Sequence, residues 1–223
     1  MGMAGTTRAG RAGERRIDSE RRAEIGRERK ARTRARILAA TFDLFGRQNG
    51  LFTRVEEICE AARITRPTFY NHFAGMEELR EALSWEVTHD FLAAVVRAIG
   101  TLPDAAQRTA AAIRYYLRRG QQDARWAWSI VNISACGIIF GAETHRQAQR
   151  TVEEGIACGA FRITDARIGR DVVLGATLSA LVTLLREETD ADYPAQIAEA
   201  VLAGLGMASA KATVLARTPL ADL

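Results

Sequence analysis

Apolar side chains along this chain recur at intervals of three and four residues, the spacing that places them on one face of an α-helix. The alternation of apolar and polar positions that is typical of β-strands is not seen. The pattern predicts a first amphipathic helix, which the turn at Asn49-Gly50 ends. The residues on the inward face of this helix are Ile37, Ala40, Thr41, Leu44 and Phe45.

Two short helices and one long helix are predicted next. Thr53 is a candidate N-cap for the first short helix, and Thr65 for the second, where Pro67 is tolerated in the first turn. The second short helix runs to Phe73, and the long helix covers Met76 to Ile99. We therefore expect a small N-terminal helical unit that the long helix joins to the rest of the chain.

The second half of the chain also has only helical periodicity. Breaks at Gly and polar residues divide it into helices over 103–119, 124–140, 143–158, 165–188 and 192–207. The prediction is an all-α protein of about nine helices. We divide it into a disordered basic arm (1–20), an N-terminal domain (31–91), a helical C-terminal domain (92–210) and a flexible tail (211–223).

The charge is unevenly distributed. The formal net charge is +4, but residues 1–80 hold 17 Lys/Arg and 11 Asp/Glu, so the remainder is slightly acidic. A basic front half suits a polyanionic partner. The stretch from Arg8 to Arg36 holds 12 Lys/Arg and 5 acids, and two interpretations are open: contacts with DNA phosphates or the minor groove, or a solvated tail.

Several classes of protein are disfavoured by the sequence. The sequence contains no run of about eighteen apolar residues, the length that predicts a membrane span, and no secretory signal is seen. We therefore expect a cytoplasmic protein without a membrane partner. We expect no enzyme, metal or cofactor, because the three histidines are scattered and no nucleophile motif or phosphate loop is present. The cysteines, expected to be reduced core thiols, are Cys59, Cys136 and Cys158.

The two short helices, with the turn between them, form a candidate helix-turn-helix over 54–73. Phe69 and Phe73 are four residues apart and point inward, which leaves the polar side chains of the second helix available for the major groove of DNA. Arg54, at the start of the first helix, is expected to contact phosphate. The other candidate DNA-binding residues are Thr65, Arg66, Pro67, Thr68, Tyr70, Asn71 and His72.

The segment TRVEEICEAARITRPTFYNHFAGMEEL (53–79), preceded by RILAATFDLF (36–45), resembles the TetR family of bacterial transcription regulators. The resemblance spans 31–91. It implies that Thr68, Tyr70 and His72 touch DNA and that Arg66, Pro67 and Asn71 face bases. Two departures are Arg63, where the family usually has a turn glycine, and Met76, where a phosphate-binding lysine is common. The first departure questions the left-handed backbone at that turn.

The resemblance further implies that the C-terminal half binds a small molecule that lowers operator affinity. The predicted helix over 124–140 is apolar on most sides, so its polar residues need partners, which a ligand, a neighbouring helix or a trapped water could supply. The aromatic residues are either pocket walls or plain core. The pocket candidates are Tyr116, Trp128, Ser129, Asn132, Cys136 and Phe140.

In the family, the last two helices pair with those of a second copy as a four-helix bundle. The small and aliphatic faces of the two helices over 165–188 and 192–207 permit such a homodimer, and a monomer core is the alternative. The interface candidates are Ile168, Val172, Ala176, Ser179, Val182, Ile197, Val201 and Leu205. The predicted function is a dimeric repressor that binds a pseudo-palindromic operator and is released by an unknown effector. The alternative is a helix-turn-helix architectural or protein-interaction factor without a ligand.

Overall fold

The computed structural model describes residues 7–135 and 137–223, with side chains described from Arg21 onward. This part of the chain contains ten α-helices, one short 3₁₀ helix at Gly50–Phe52, and no strand. The α-helices are α1 (Thr7–Phe45), α2 (Val55–Ala61), α3 (Arg66–Tyr70), α4 (Met76–Ile99), α5 (Ala105–Gln122), α6 (Ala124–Ser134), α7 (Gly141–Ala157), α8 (Ala166–Arg186), α9 (Tyr193–Gly204) and α10 (Ser209–Ala216). The all-α prediction is confirmed.

The end of α1, α2, α3 and the start of α4 enclose a small hydrophobic core. Phe69 and Phe73 lie inside it, as their spacing of four predicts. The rest of this core consists of residues from α1, α2 with its C-cap, and α4, each less than a tenth exposed: Ile37, Ala40, Ile58, Cys59, Ala62 and Leu79. The small domain therefore has a core of its own, on which α3 is held by two aromatic rings.

Helix α1 is longer than the pattern of apolar residues predicts. It begins at Thr7, so the disordered arm predicted over 1–20 is wrong for residues 7–20, while residues 1–6 lie outside the described part. The prediction considered only the lack of apolar residues. However, this stretch is rich in Ala, Arg and Glu and has no proline, and these residues have high helix propensity.

The turn between α2 and α3 keeps a left-handed residue even though glycine is missing. Arg63 has a φ of 52°. The Arg63 amide donates to the Glu60 carbonyl at 3.0 Å, and the Ile64 amide donates to the Cys59 carbonyl at 2.9 Å. The doubt about this backbone is therefore resolved: the turn hydrogen bonds hold Arg63 in a conformation that is unfavourable for a residue with a Cβ.

We expect Arg63→Gly to raise the free energy of unfolding by about 1 kcal/mol, because glycine adopts positive φ without the steric cost of a Cβ. Urea unfolding followed by circular dichroism measures the change. The matched control is Arg63→Ala, which removes the charge but keeps the Cβ and so is expected to leave stability within about 0.5 kcal/mol of the natural chain. Equal stabilisation by both substitutions would attribute the effect to the charge.

Helix α4 runs from the small core into the C-terminal domain. Leu79 near its start is buried with the aromatic rings of α3. Val95 and Ile99 near its end are buried in the large core. A single continuous helix thus connects the cores of the two domains.

Helices α5 to α10 and the end of α4 build the C-terminal domain around one large apolar core. Helix α6 ends at Ser134 rather than at the predicted Phe140. The Ser134 hydroxyl accepts from the Phe140 amide at 3.1 Å, and Phe140 has a φ of 58°. The chain therefore turns sharply before α7, and Phe140 enters the core from this turn rather than from α6.

Cys59 is buried as predicted, but Cys158 is exposed at the end of α7.

The flexible tail predicted over 211–223 is instead packed. Ala212 and Ala216 of α10 are fully buried, because α10 packs on α9 and α5. Beyond α10, Arg114 donates to the Thr218 carbonyl and Tyr115 donates to the Ala221 carbonyl at 2.9 Å. Two buried side chains of α5 thus hold the C-terminal segment, which local sequence pattern alone does not reveal.

Candidate nucleic-acid interface and ligand cavity

Helix α3 begins with a hydrogen-bonded cap. Thr65 has the extended backbone of an N-cap, and its hydroxyl accepts from the Thr68 amide at 3.3 Å. The two threonine hydroxyls are also 2.8 Å apart. Pro67 occupies the first turn, where its missing amide hydrogen breaks no hydrogen bond within the helix. The cap and the buried Phe69 together fix which side of α3 faces away from the protein.

The outward side of α3 carries polar side chains. Arg66, Pro67, Tyr70 and Asn71 are exposed, and Thr68 is half-buried. Arg66 forms an ion pair with Glu56 of α2 at 3.0 Å, and a hydrogen bond to Tyr70 raises the pKa of its guanidinium. The five donors of an arginine allow it to exchange this exposed partner for another acceptor, such as the edge of a guanine. Arg66, Pro67, Tyr70 and Asn71 are therefore accessible to a partner, and their contact with DNA stays a prediction.

His72 departs from that set. It is half-buried, and its Nδ1 is enclosed without a hydrogen-bond partner in the described part of the chain. Burial lowers the pKa of its imidazole, and the nearby charges of Lys30 and Arg34 on α1 lower it further. Nδ1 of His72 is therefore enclosed beside α1, and the neutral ring is favoured at pH 7.

Arg54 is the N-cap of α2, where Thr53 was predicted. The backbone amide of Arg54 donates to the Glu57 carboxylate at 2.7 Å, so the acid of the first turn satisfies this helix end. The Arg54 side chain is 78% exposed, and its Nε lies 3.9 Å from Glu57. Arg54 is thus free to extend toward a phosphate, whereas half-buried Met76 offers no cation at the start of α4.

A cavity of about 60 Å³ lies between α4, α5, α7 and α8 in the C-terminal domain. Its walls are mostly aliphatic and come from all four helices, with Tyr116 and Phe140 among them. Its polar side chains are Arg108, Thr109, Thr144, Gln147, Thr151 and Thr177. Two of the six predicted pocket residues therefore line it, and the polar residues were missed. The spacing of Thr144, Gln147 and Thr151 on one face of α7 was the signal that could have revealed them.

Tyr116 is the best-defined polar group of the cavity. Its hydroxyl lies 3.1 Å from the Thr144 hydroxyl, and burial raises the pKa of the phenol. Its ring packs edge-on against Phe91 and Phe140 at centroid distances of 4.9 and 5.0 Å. The phenol is therefore neutral and rigidly positioned. The hydroxyls of Tyr116 and Thr144 can both hydrogen-bond to a hydroxyl group of a bound molecule.

The remaining pocket predictions are not supported by the structure. Asn132 donates to the carbonyls of Phe45 and Arg47, both at 2.8 Å, so neighbouring backbone satisfies it. Ser129 bonds to the carbonyl of Trp126 within its own helix. Trp128 is half-buried under the guanidinium of Arg186, away from the cavity. Cys136 lies outside the described residues.

The interface candidates on α8 and α9 divide into two groups. Val201 and Leu205 are buried in the core, because that face of α9 packs inward, so these two predictions are wrong. Ile168 is 53% exposed, and the remaining candidates are half-buried or exposed: Val172, Ala176, Ser179, Val182 and Ile197.

Helix α8 is long and apolar enough to cross a membrane by composition, and a third of that apolar stretch is buried. One such helix is weak evidence for a membrane span, and α8 packs against α5 and α7.

Comparison with known proteins agrees with this architecture. Residues 37–83 match the family model described as bacterial regulatory proteins, tetR family, and residues 104–218, more than half of the chain, match the tetracyclin repressor-like C-terminal domain. No curated protein matches the chain.

Solved structures show the same fold. The crystal structure of RolR in complex with resorcinol is 25% identical, with a TM-score of 0.72 over 87% of this chain and 98% of that one. A tetR-family regulatory protein from Rhodococcus RHA1 is 22% identical, with a TM-score of 0.56 over 79% and 98%. FadR from Bacillus subtilis in complex with stearoyl-CoA is 18% identical, with a TM-score of 0.58 over 77% and 96%. The chain therefore belongs to the TetR family of bacterial transcription regulators.

Proposed function

We propose that this protein is a cytoplasmic, homodimeric repressor that binds a pseudo-palindromic operator through α3 and leaves it when a small molecule occupies the C-terminal cavity. The observation that carries the proposal is the capped α3, which buries Phe69 and turns Arg66, Tyr70 and Asn71 outward. A short helix with this exposed polar edge fits the major groove. Arg66 supplies base recognition and Arg54 a phosphate contact.

A twofold dimer follows from the apolar surface of α8. Its partly exposed aliphatic residues, with Ile168 more than half exposed, form a face that a second copy can cover. Ile197 of α9 is also half-buried. A symmetric pair places two α3 helices on one side of the dimer, which requires two half-sites in inverted orientation.

The cavity supports a small, uncharged and largely apolar effector with one or two hydroxyl groups. The aliphatic walls favour an apolar body, and the pair Tyr116–Thr144 provides a hydroxyl-sharing site. RolR, which resembles this chain over most of its length, is a resorcinol complex, so a small phenol has a precedent in this fold. Val95 and Ile99 of α4 line the cavity, so an effector that binds better when α4 is displaced shifts the DNA-facing heads.

The test of DNA binding is selection of duplexes by the purified protein from a random library at moderate salt. An inverted repeat among the selected duplexes is expected, and no enrichment of any sequence contradicts the proposal. Thermal unfolding with a panel of small phenols and other metabolites then tests the effector. A raised midpoint together with weaker operator binding supports release by a ligand, whereas no shift with any compound supports an architectural factor.

Arg66→Ala is expected to lower affinity for the selected duplex by about 1–3 kcal/mol and to relax base preference at one position of each half-site. Arg54→Ala is expected to weaken binding to selected and scrambled duplexes alike, because phosphate contacts carry no sequence information. Fluorescence anisotropy titrations on both duplexes measure the two effects. The same loss from both substitutions on both duplexes contradicts the assigned roles.

A further inference from the structure

Helix α1 extends well beyond the small core to which its C-terminal end belongs. Every residue from Arg21 to Arg32 is exposed, and the first residue that the core fully buries is Ile37. Between Arg21 and Arg32 one bulky apolar side chain occurs, Ile25, which is 40% exposed. An extended helix with no apolar face does not provide a surface for another protein's core.

The exposed helix is strongly basic. Residues 21–36 contain eight Arg or Lys and two Glu. Arg27, Lys30 and Arg34 follow one another at spacings of three and four, so they form one stripe along the helix. Arg29 and Arg32 belong to the opposite side of the helix, so α1 is basic on two sides that point in different directions.

The stripe of Arg27, Lys30 and Arg34 lies on the side of α1 that faces the end of α3. Arg34 donates to the His72 carbonyl at 3.0 Å, and its guanidinium lies 4.2 Å from the centre of the Phe73 ring. Lys30, one turn further from the core, is close enough to act on the His72 imidazole. The stripe therefore continues outward from the C-terminal end of the helix that faces DNA.

We propose that Arg27 and Lys30 bind duplex phosphates that lie outside the base pairs facing α3, so that each protomer occupies a longer stretch of DNA than its helix-turn-helix alone. This inference rests on the proposed operator binding. Seven residues of helix separate Arg27 from Arg34, a distance of about 10 Å, which corresponds to about three base pairs. Phosphates are the partner because the stripe offers charge and no apolar or shape-specific contact.

The experiment uses the duplex selected above in two lengths, one trimmed to the inverted repeat and one extended by five GC pairs at each end. The full-length protein is expected to bind the extended duplex more tightly at low salt. For the double variant R27A/K30A the difference between the two lengths should disappear. Because four charges are removed per dimer, the slope of log K against log salt on the extended duplex should fall by about 3–4.

The matched control is R29A/R32A, which removes the same charge from the opposite side of α1. This control is expected to keep the preference for the longer duplex, and circular dichroism of both variants checks that the fold is retained. Equal effects of the two double variants, or equal binding of both lengths by the natural chain, would overturn the inference while leaving operator binding intact. No specific binding to either length would instead overturn the proposed function and this inference with it.

Discussion

Phe69→Ala is expected to lower the stability of the N-terminal domain by about 3–5 kcal/mol, because it removes a fully buried ring from a small core. The Phe69 ring packs against Phe73 at a centroid distance of 5.8 Å and against Tyr70 at 5.3 Å. A small domain buries a smaller fraction of its surface and is only marginally stable, so the loss of one ring is a large part of its stability. Operator binding should be lost, and the backbone amides of α2 and α3 should lose their protection from hydrogen exchange.

Hydrogen exchange measured peptide by peptide tests this expectation, since it separates the small domain from the C-terminal one. Peptides of α2 and α3 should exchange fast in the variant, and peptides of α5 and α8 should stay protected. The control is Tyr70→Ala on the same helix, where the side chain is 49% exposed. It should weaken DNA binding without changing exchange. Unchanged protection of α3 after Phe69→Ala would show that this ring does not anchor the helix.

The N-terminal domain could be predicted almost completely from the sequence, because its rules are local. A cap at Thr65, a proline in the first turn and two phenylalanines four residues apart fix the start, direction and buried side of α3. The cap of α2 is Arg54 rather than the predicted Thr53, a difference of one residue. His72 was misjudged because its environment is set by Lys30 and Arg34, which are about forty residues away in sequence.

The C-terminal domain was predicted in outline but not in its contacts. Helix periodicity identifies an apolar face without naming its neighbour, so Val201 and Leu205 were assigned to a dimer although α9 turns them into the protomer's own core. The cavity was only partly anticipated, because its polar residues come from three helices, α5, α7 and α8, that meet only in three dimensions. Similarly, the partner of Asn132 lies more than eighty residues earlier in the chain.

Asn132 joins the two domains through the end of α1. Asn132 is only 4% exposed, and its Nδ2 donates to the carbonyl of Phe45, the last residue of α1, and to the carbonyl of Arg47 just beyond it. Near the same junction, Arg125 of α6 pairs with Asp43 of α1 at 2.7 Å. Gly50 also packs here, since a Cβ on it would lie 2.8 Å from the Asn132 amide nitrogen. The buried amide of Asn132 therefore contributes two hydrogen bonds to the junction between α6 and the N-terminal domain.

Asn132→Asp is expected to cost about 3–5 kcal/mol of stability at pH 7, because a buried carboxylate has no proton to give and faces two carbonyl oxygens. Burial raises the folded-state pKa of the introduced acid above its unfolded value, so the loss is present at high pH and shrinks as pH falls through the raised pKa. Asn132→Leu keeps the volume but removes the donors, and should cost about 1–3 kcal/mol without this pH dependence. Urea unfolding of both variants between pH 4.5 and 8 provides the measurement. Parallel pH profiles for the two variants would contradict the assignment of both donated hydrogen bonds to this amide.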